Sequence, residues 1–167
     1  KGADRLEACI TSAPSNTGVS PVDSSSTTKT TAVKTKSPKP HRQDACGTIA
    51  VIGTGNFTKM TLAPKLAKTD ARLKYLCGQT NTASIAHTAN KYNFENATTD
   101  LNSILTDKEV DAVIIATGHN SHATLACKAL EAGKHTFVEK PLAMNTDELE
   151  KVIKAARGYH EQQDDGT

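Results

Sequence analysis

The 167-residue chain has no tryptophan and only three Tyr and three Phe, and 37% of its residues are apolar, below the roughly 45–50% of a typical globular domain. A core that spans the whole length is excluded, so part of the chain stays unburied. Charge of one sign is also lacking. With 20 Lys+Arg against 18 Asp+Glu the formal net charge is +2, which excludes a nucleic-acid partner held by bulk electrostatics. No apolar run approaches the roughly 18 residues of a membrane span, and the N-terminus has neither an apolar h-region nor a cleavage pattern. Cys9, Cys46, Cys77 and Cys127 lie more than 30 residues apart without a C-x-x-C pair, so no zinc or redox site is expected and a reduced, cytoplasmic chain is. The first residue is Lys rather than Met, as expected of a piece of a longer protein.

What is present divides into three parts. Residues 1–44 are dominated by Ser, Thr, Pro and Lys, as in Ser24-Ser25-Ser26-Thr27-Thr28 and Ser37-Pro38-Lys39-Pro40, and hold seven basic and four acidic side chains. Such a stretch cannot bury enough surface to offset its ordering entropy, so it reads as a disordered leader; a modified stalk or a basic contact arm is the other reading. Residues 45–158 alternate short apolar runs with segments of helical period. Residues 159–167 are a polar tail.

In the middle part the strands are Thr48-Ile49-Ala50-Val51-Ile52, residues 73–77, a brief one at 97–99, the strongly apolar Asp111-Ala112-Val113-Ile114-Ile115-Ala116, and residues 135–138. Between them the pattern predicts helices over 56–68, kinked at Pro64, then from Thr80 or Thr82 to the stretch 91–94, over 101–105, and over 123–132 with a stop at Gly133. A last helix starts at Asn145 with Glu148 completing a capping box, turns Leu149, Val152, Ile153 and Ala156 inward, and ends at Gly158. Strand and helix alternating in this way require right-handed crossovers. The predicted fold is α/β, a doubly wound parallel sheet (Rossmann fold) in a single domain. Ligands of such sheets bind beyond the carboxyl ends of the strands, here after Ile52, Cys77, Ala116 and Val138.

Each of those places carries chemistry. Gly53-Thr54-Gly55-Asn56-Phe57-Thr58 follows a strand, opens a helix and matches two of the three glycines of G-x-G-x-x-G. The first glycine makes the tight turn, the second lets backbone N–H groups approach a pyrophosphate, and the helix start supplies partial positive charge. Thr58 stands where the third glycine permits close helix–strand packing. After the second strand a dinucleotide site normally has an acid for the ribose, but Cys77-Gly78-Gln79-Thr80-Asn81 has none, and no Arg for a 2′-phosphate. Gln79, Thr80 and Asn81 are left as hydrogen-bonding groups, and NAD and NADP both remain open. His119 and His122 are spaced for one face of a loop-to-helix junction, yet no third ligand is near, so loop or substrate-facing roles are favoured over a metal. Glu139-Lys140-Pro141 places an acid and a base at a strand exit. Lys140 can donate to a substrate hydroxyl or carbonyl during hydride transfer, with Pro141 in cis aiming it inward; an ordinary strand exit with a turn proline is the other reading.

Three segments in order, residues 51–57, residues 111–122 and Ala129-Leu130-Glu131-Ala132-Gly133-Lys134-His135-Thr136-Phe137-Val138-Glu139-Lys140-Pro141-Leu142-Ala143, resemble the N-terminal domain of the glucose-fructose oxidoreductase and inositol dehydrogenase (Gfo/Idh/MocA) family. The likeness covers residues 47–157. The Gly-Asn-Phe-Thr-Lys-Met start and the His119-Asn120-Ser121-His122 loop are most similar to the subgroup fused to a zinc-type alcohol dehydrogenase module, and Gly118-His119 departs from the family's usual Pro-Asn. The resemblance implies NAD or NADP as cofactor, with Gly53, Thr54, Gly55, Asn56 and Phe57 at the pyrophosphate and Gln79 at the ribose. Thr117, Gly118, His119 and His122 would line its middle, Glu139 would stand at the nicotinamide end, and Lys140 would be the catalytic contributor. It also implies a sugar, cyclitol or related polyol as substrate of the full-length protein, with a second domain, missing here, that carries the substrate pocket and often the homo-oligomer interface. The isolated chain is then expected to bind nucleotide and turn over little. A non-catalytic dinucleotide-binding or redox-sensing module is the alternative from a different class.

Overall fold

The computed structural model describes residues 33–34, 47–79 and 82–164. Six strands form one sheet in the order β1-β4-β3-β2-β5-β6. They are β1 (Val33–Lys34), β2 (Thr48–Ile52), β3 (Arg72–Cys77), β4 (Asn96–Thr98), β5 (Ala112–Ile115) and β6 (His135–Val138). The five from β2 to β6 are parallel, and β1 runs antiparallel to β4. From β2 the chain winds outward through β3 and β4, then returns to the other side of β2 for β5 and β6. The direction of winding therefore reverses between β2 and β5, the place where such sheets open a crevice.

The continuous apolar character of β2 follows from burial on both faces. Ala50 and Ile52 point into a core with Val113, Ile115, Leu125, Ala126 and Ala129, while Val51 points into a second core with Leu76, Ile85, Ala89 and Phe94. The scarcity of aromatics shows in these layers: Phe94, 1% exposed, is the one large ring fully buried among the described residues, and alanines let helices approach closely.

Five α-helical segments cover the faces: α1 (Ala63–Leu66), α2 (Thr82–Lys91), α3 (Asn102–Leu105), α4 (His122–Glu131) and α5 (Thr146–Asp164). The segment predicted as a helix over 56–68 is helical over 56–66, with a π-helical turn, Thr58–Leu62, in its middle and α1 after it. The Ala63 N–H reaches five residues back to the Thr58 carbonyl, and Pro64 then falls in the first turn of α1, where a missing N–H costs little. Asn93 (φ 61) and Gly133 (φ 70) end α2 and α4 in the left-handed conformation. Asn145 Oδ1 accepts from the Glu148 N–H at 2.9 Å, and the Glu148 carboxylate accepts from the Met144 N–H at 2.8 Å.

Several expectations are corrected. Gly158 does not stop α5, because Tyr159 is buried and its hydroxyl lies 2.7 Å from His135 Nδ1 on β6, which holds the next turn in place. Residues 159–164 are thus helical rather than tail. Leu149 and Ile153 are 39% and 43% exposed; Val152 and Tyr159 are the buried positions, seven apart, because α5 packs on α4 along one narrow stripe. Within the leader, Val33 and Lys34 pair with Ala97 and Asn96 on the open edge of β4. The rest of residues 1–44 lies outside the described residues.

A bulge in β3 also escaped the sequence pattern: Ile49 pairs with Leu73 and Ala50 with Tyr75, so Lys74 is the extra residue. Both Lys74 Nζ (2.6 Å) and the Tyr75 hydroxyl (2.9 Å) thereby reach the Asp107 carboxylate. Lys74 also pairs with Glu109, and Arg72 bridges Glu109 and Glu95. The buried Lys134 ammonium donates to the Asp107 and Val110 carbonyls at 2.7 and 2.9 Å. This network pins the loop before β5, away from the glycine turn.

Candidate cofactor site

The glycine turn is built by the contact between the ends of β2 and β5. Gly53 has φ +116, and a Cβ there would stand 2.1 Å from the Ala116 carbonyl oxygen, so no side chain fits. Its N–H donates to the Cys77 carbonyl at 2.8 Å, and the Ala116 N–H donates to the Ile52 carbonyl at 2.8 Å, fastening the turn to β3 and β5 together. Gly55 is the opposite case. A Cβ there would meet nothing within 4 Å, which leaves open space over the start of the π-helical turn. A diphosphate needs such a space beside backbone N–H groups, so the residues present fit a dinucleotide. Thr54 Oγ1 lies 2.8 Å from where a Cβ of Gly78 would be, so the turn closes over the end of β3.

Thr58, in the third fingerprint position, is 0% exposed, and its hydroxyl has no hydrogen-bond partner among the described residues. Gln79 is exposed beyond β3, and no carboxylate stands in the described stretch 77–79. Thr80 and Asn81 lie outside the described residues.

Beyond the turn, an open cleft of about 420 Å³ is lined by Phe57, Ala116, Thr117, His119, Glu139, Lys140 and Pro141. The three strand exits of β2, β5 and β6 thus converge as the switch-point rule predicts. Phe57, 44% exposed, forms the wall on the glycine side, and Asn56 is exposed beside it. Lys140 is exposed, Glu139 is half-buried, and the Lys140–Pro141 bond is cis as expected. On the β5 side the Thr117 and Ser121 hydroxyls lie 2.6 Å apart, and Ser121 donates to the Gly118 carbonyl at 2.7 Å. That arrangement shapes the loop at Gly118-His119.

The two histidines separate. His119 is exposed at the cleft, whereas His122 is 0% exposed, with Nδ1 2.8 Å from the Pro141 carbonyl and Nε2 3.2 Å from the Thr117 carbonyl. The rings make an edge contact at 5.7 Å, but both His122 nitrogens already face oxygens, and no metal-binding cluster occurs among the described residues. Sequence reasoning missed Ala116 and Pro141 as lining residues. The one signal for Ala116 was a small residue ending the most apolar strand, where Gly53 comes closest.

Comparison with known proteins agrees with this geometry. Residues 48–163 match the family model Gfo/Idh/MocA, described as an oxidoreductase family with an NAD-binding Rossmann fold. A levoglucosan dehydrogenase from Pseudarthrobacter phenanthrenivorans is 36% identical over 85 residues, 51% of this chain and 22% of that protein. A levoglucosan dehydrogenase solved with NADH and levoglucosan has a TM-score of 0.61 and 31% identity over 68% of this chain and 32% of its own. Myo-inositol 2-dehydrogenase from Thermotoga maritima is 28% identical over 109 residues, 65% of this chain and 32% of that protein. A 3-ketoreductase from Actinomadura kijaniata, solved with TDP-benzene and NADP, shares the fold at a TM-score of 0.63 with 22% identity, over 69% of this chain and 36% of its own. The chain spans about a third, or less, of each of these proteins. With residues 48–163 matched, the chain belongs to the Gfo/Idh/MocA oxidoreductase family, of which it carries the NAD-binding Rossmann domain.

Proposed function

We propose that this domain serves an NAD(P)-dependent oxidoreductase that moves hydride between nicotinamide and a secondary alcohol of a sugar, cyclitol or related polyol. The observation that carries the reading is the open space at Gly55 on a turn locked by Gly53, continuous in the fold with a cleft holding Glu139 and Lys140. When bound, the nicotinamide supplies the hydride acceptor or donor. Gly53, Thr54, Gly55, Asn56 and Phe57 seat the diphosphate, Gln79 faces the ribose, and Thr117, Gly118 and His119 line the middle. Lys140 holds a proton at the reacting oxygen, and Glu139 stands beside it. The substrate pocket, the remaining acid/base and the homo-oligomer contact belong to the stretch of the relatives' length that this chain does not span; the domain alone binds cofactor and turns over little. The motif at Asn56-Phe57-Thr58 and the His119-Asn120-Ser121-His122 loop support the subgroup joined to a zinc-type alcohol dehydrogenase module. The wide spacing of the four cysteines, without a C-x-x-C pair, supports a reducing, cytoplasmic setting. No helix among the described residues is long and apolar enough to cross a membrane.

The test is a titration of NADH and NADPH into the purified chain, read by nicotinamide fluorescence and thermal shift, beside Gly55→Asp. Saturable binding by the wild type, lost in the variant, is the expected result, and the tighter ligand answers the 2′-phosphate question. Equal binding by both proteins would remove the glycine turn from the site.

A further inference from the structure

Two walls of the cleft come from neighbouring strands whose ladder ends before the cleft begins. β5 and β6 stay in register to Ile115 and Val138, and the next backbone bond, from the Glu139 N–H to the Ile115 carbonyl, is 2.9 Å. Past it the chains part: Thr117 goes into the loop towards α4, while Lys140 and Pro141 turn towards α5. The His122 ring spans that gap, with its two nitrogens on the Pro141 and Thr117 carbonyls.

We propose that His122 is a positioning residue, a clip that fixes the Thr117 loop against the Lys140-Pro141 turn and so sets the nicotinamide end of the cleft. This rests on the dinucleotide reading above. The ring does not touch the bound group, because it is fully buried behind the wall it braces. A carbonyl oxygen only accepts and a singly protonated imidazole has one N–H, so in either tautomer one contact is a hydrogen bond and the other a close contact of the ring with the second wall. The shorter one, to Pro141, holds the backbone next to Lys140; the longer one, to Thr117, holds a residue that lines the cleft. Losing the ring removes the bridge between these two carbonyls and lets the two walls move independently.

The two arms can be cut separately. An Asn at this position places an amide nitrogen near Nδ1 and retains the Pro141 arm; a Gln places one near Nε2 and retains the Thr117 arm; a Leu removes both. The ligands are NADH and ADP-ribose, which lacks only the nicotinamide, or NADPH and 2′-phospho-ADP-ribose if the wild type takes only the phosphorylated form. His122→Leu is expected to weaken the nicotinamide ligand about tenfold while changing the truncated ligand less than about twofold, with His122→Asn and His122→Gln between. Equal weakening of both ligands would mean a purely structural role and overturn the clip, as would no weakening of either.

Backbone amide shifts of the free domain give an independent readout, and one that still decides the matter should His122→Leu fail to fold. In His122→Asn the Thr117 and Gly118 amides should move while Glu139 and Lys140 stay, and in His122→Gln the reverse. A wild-type chain that binds neither ligand sinks the dinucleotide reading, while the amide pattern alone then upholds or removes the clip. Uniform shifts in both variants remove it.

Discussion

The two glycines of the turn should respond to the same substitution in opposite ways. At Gly53 an alanine Cβ would sit 2.1 Å from the Ala116 oxygen, 2.5 Å from its carbonyl carbon and 2.9 Å from the Thr117 nitrogen. These are backbone atoms, so relief requires the ends of β2 and β5 to separate by about 1 Å, the shortfall from the shortest distances that non-bonded atoms tolerate. That movement strains the two 2.8 Å bonds from Gly53 to Cys77 and from Ala116 to Ile52. The positive φ adds about 1–2 kcal/mol for any residue with a Cβ. Overpacking adds about 1–3 kcal/mol, and the two weakened hydrogen bonds together about 1 kcal/mol. Gly53→Ala is therefore expected to lose about 3–6 kcal/mol, a large share of the ~5–15 kcal/mol that holds a domain together. At ~4 °C per kcal/mol for a domain of this size, Tm falls by at least ~12 °C. At Gly55 the same methyl meets nothing and φ is not positive, so Gly55→Ala stays within about 1 kcal/mol of wild type. Thermal melts by circular dichroism at one protein concentration measure both; with no tryptophan, nicotinamide fluorescence then reads binding without indole background. A Gly53→Ala domain melting within ~3 °C of wild type would refute the argument that this turn is locked by the β5 backbone.

Three further outcomes follow from the core, the ion network and the cleft. Phe94→Ala, at the largest fully buried side chain, should cost about 3–5 kcal/mol and lower the urea midpoint accordingly. Burial works to raise the Asp107 carboxyl, but hydrogen bonds from Lys74, the Glu109 N–H and Tyr75 outweigh it and hold the group below the usual carboxylate range. A carboxyl lowered by folding contributes stability above its unfolded value and loses it as pH falls through the folded one. Wild type should thus lose part of its urea resistance below about pH 4, and Asp107→Asn, weaker by about 1–3 kcal/mol at pH 7, should lose less on acidification. Lys140→Ala, at an exposed position, should leave Tm within ~2 °C and NADH affinity within about threefold, while abolishing turnover in the full-length enzyme. A large loss of NADH affinity would instead make Lys140 a binding residue.

The parallel sheet was legible because its inner strands are buried on both faces and so carry unbroken apolar runs that neither helices nor exposed strands need. The ends of α2, α4 and the start of α5 were legible for an equally local reason, since Asn93, Gly133 and Asn145 act on atoms a few residues away. Features decided by tertiary contact were not. Lys74 reads as a polar residue in a strand, and nothing local says that Asp107 and Glu109 will make it the bulge. Gly158 reads as a stop until Tyr159 finds His135. Leu149 and Ile153 share the period of Val152, but an outer helix that lies mainly on one neighbouring helix buries a narrower stripe than one lying on a sheet. The site divides in the same way. Topology alone says which strand exits converge, and the motifs occupy those exits; whether a histidine at such an exit faces the cleft or braces it depends on which carbonyls lie within reach, and His119 and His122 fall on opposite sides of that distinction.

Thr58 carries the same distinction into the fingerprint itself. A threonine in the third glycine position adds a methyl and a hydroxyl, and it stands buried at the first position of the π-helical turn. Its hydroxyl is fully buried and has no hydrogen-bond partner among the described residues, which costs about 1–3 kcal/mol. Valine has the same branching at Cβ and no hydroxyl, so Thr58→Val should raise Tm by roughly 4 °C or more if burial is the whole story. A fall in Tm would show that the hydroxyl does have a partner and that the packing argument is mistaken. Measured with NADH, the variant separates two reasons for keeping an orphaned group: unchanged affinity assigns the hydroxyl to neither stability nor binding, whereas a stabilised domain that binds about tenfold more weakly places the missing partner on the cofactor side of the turn.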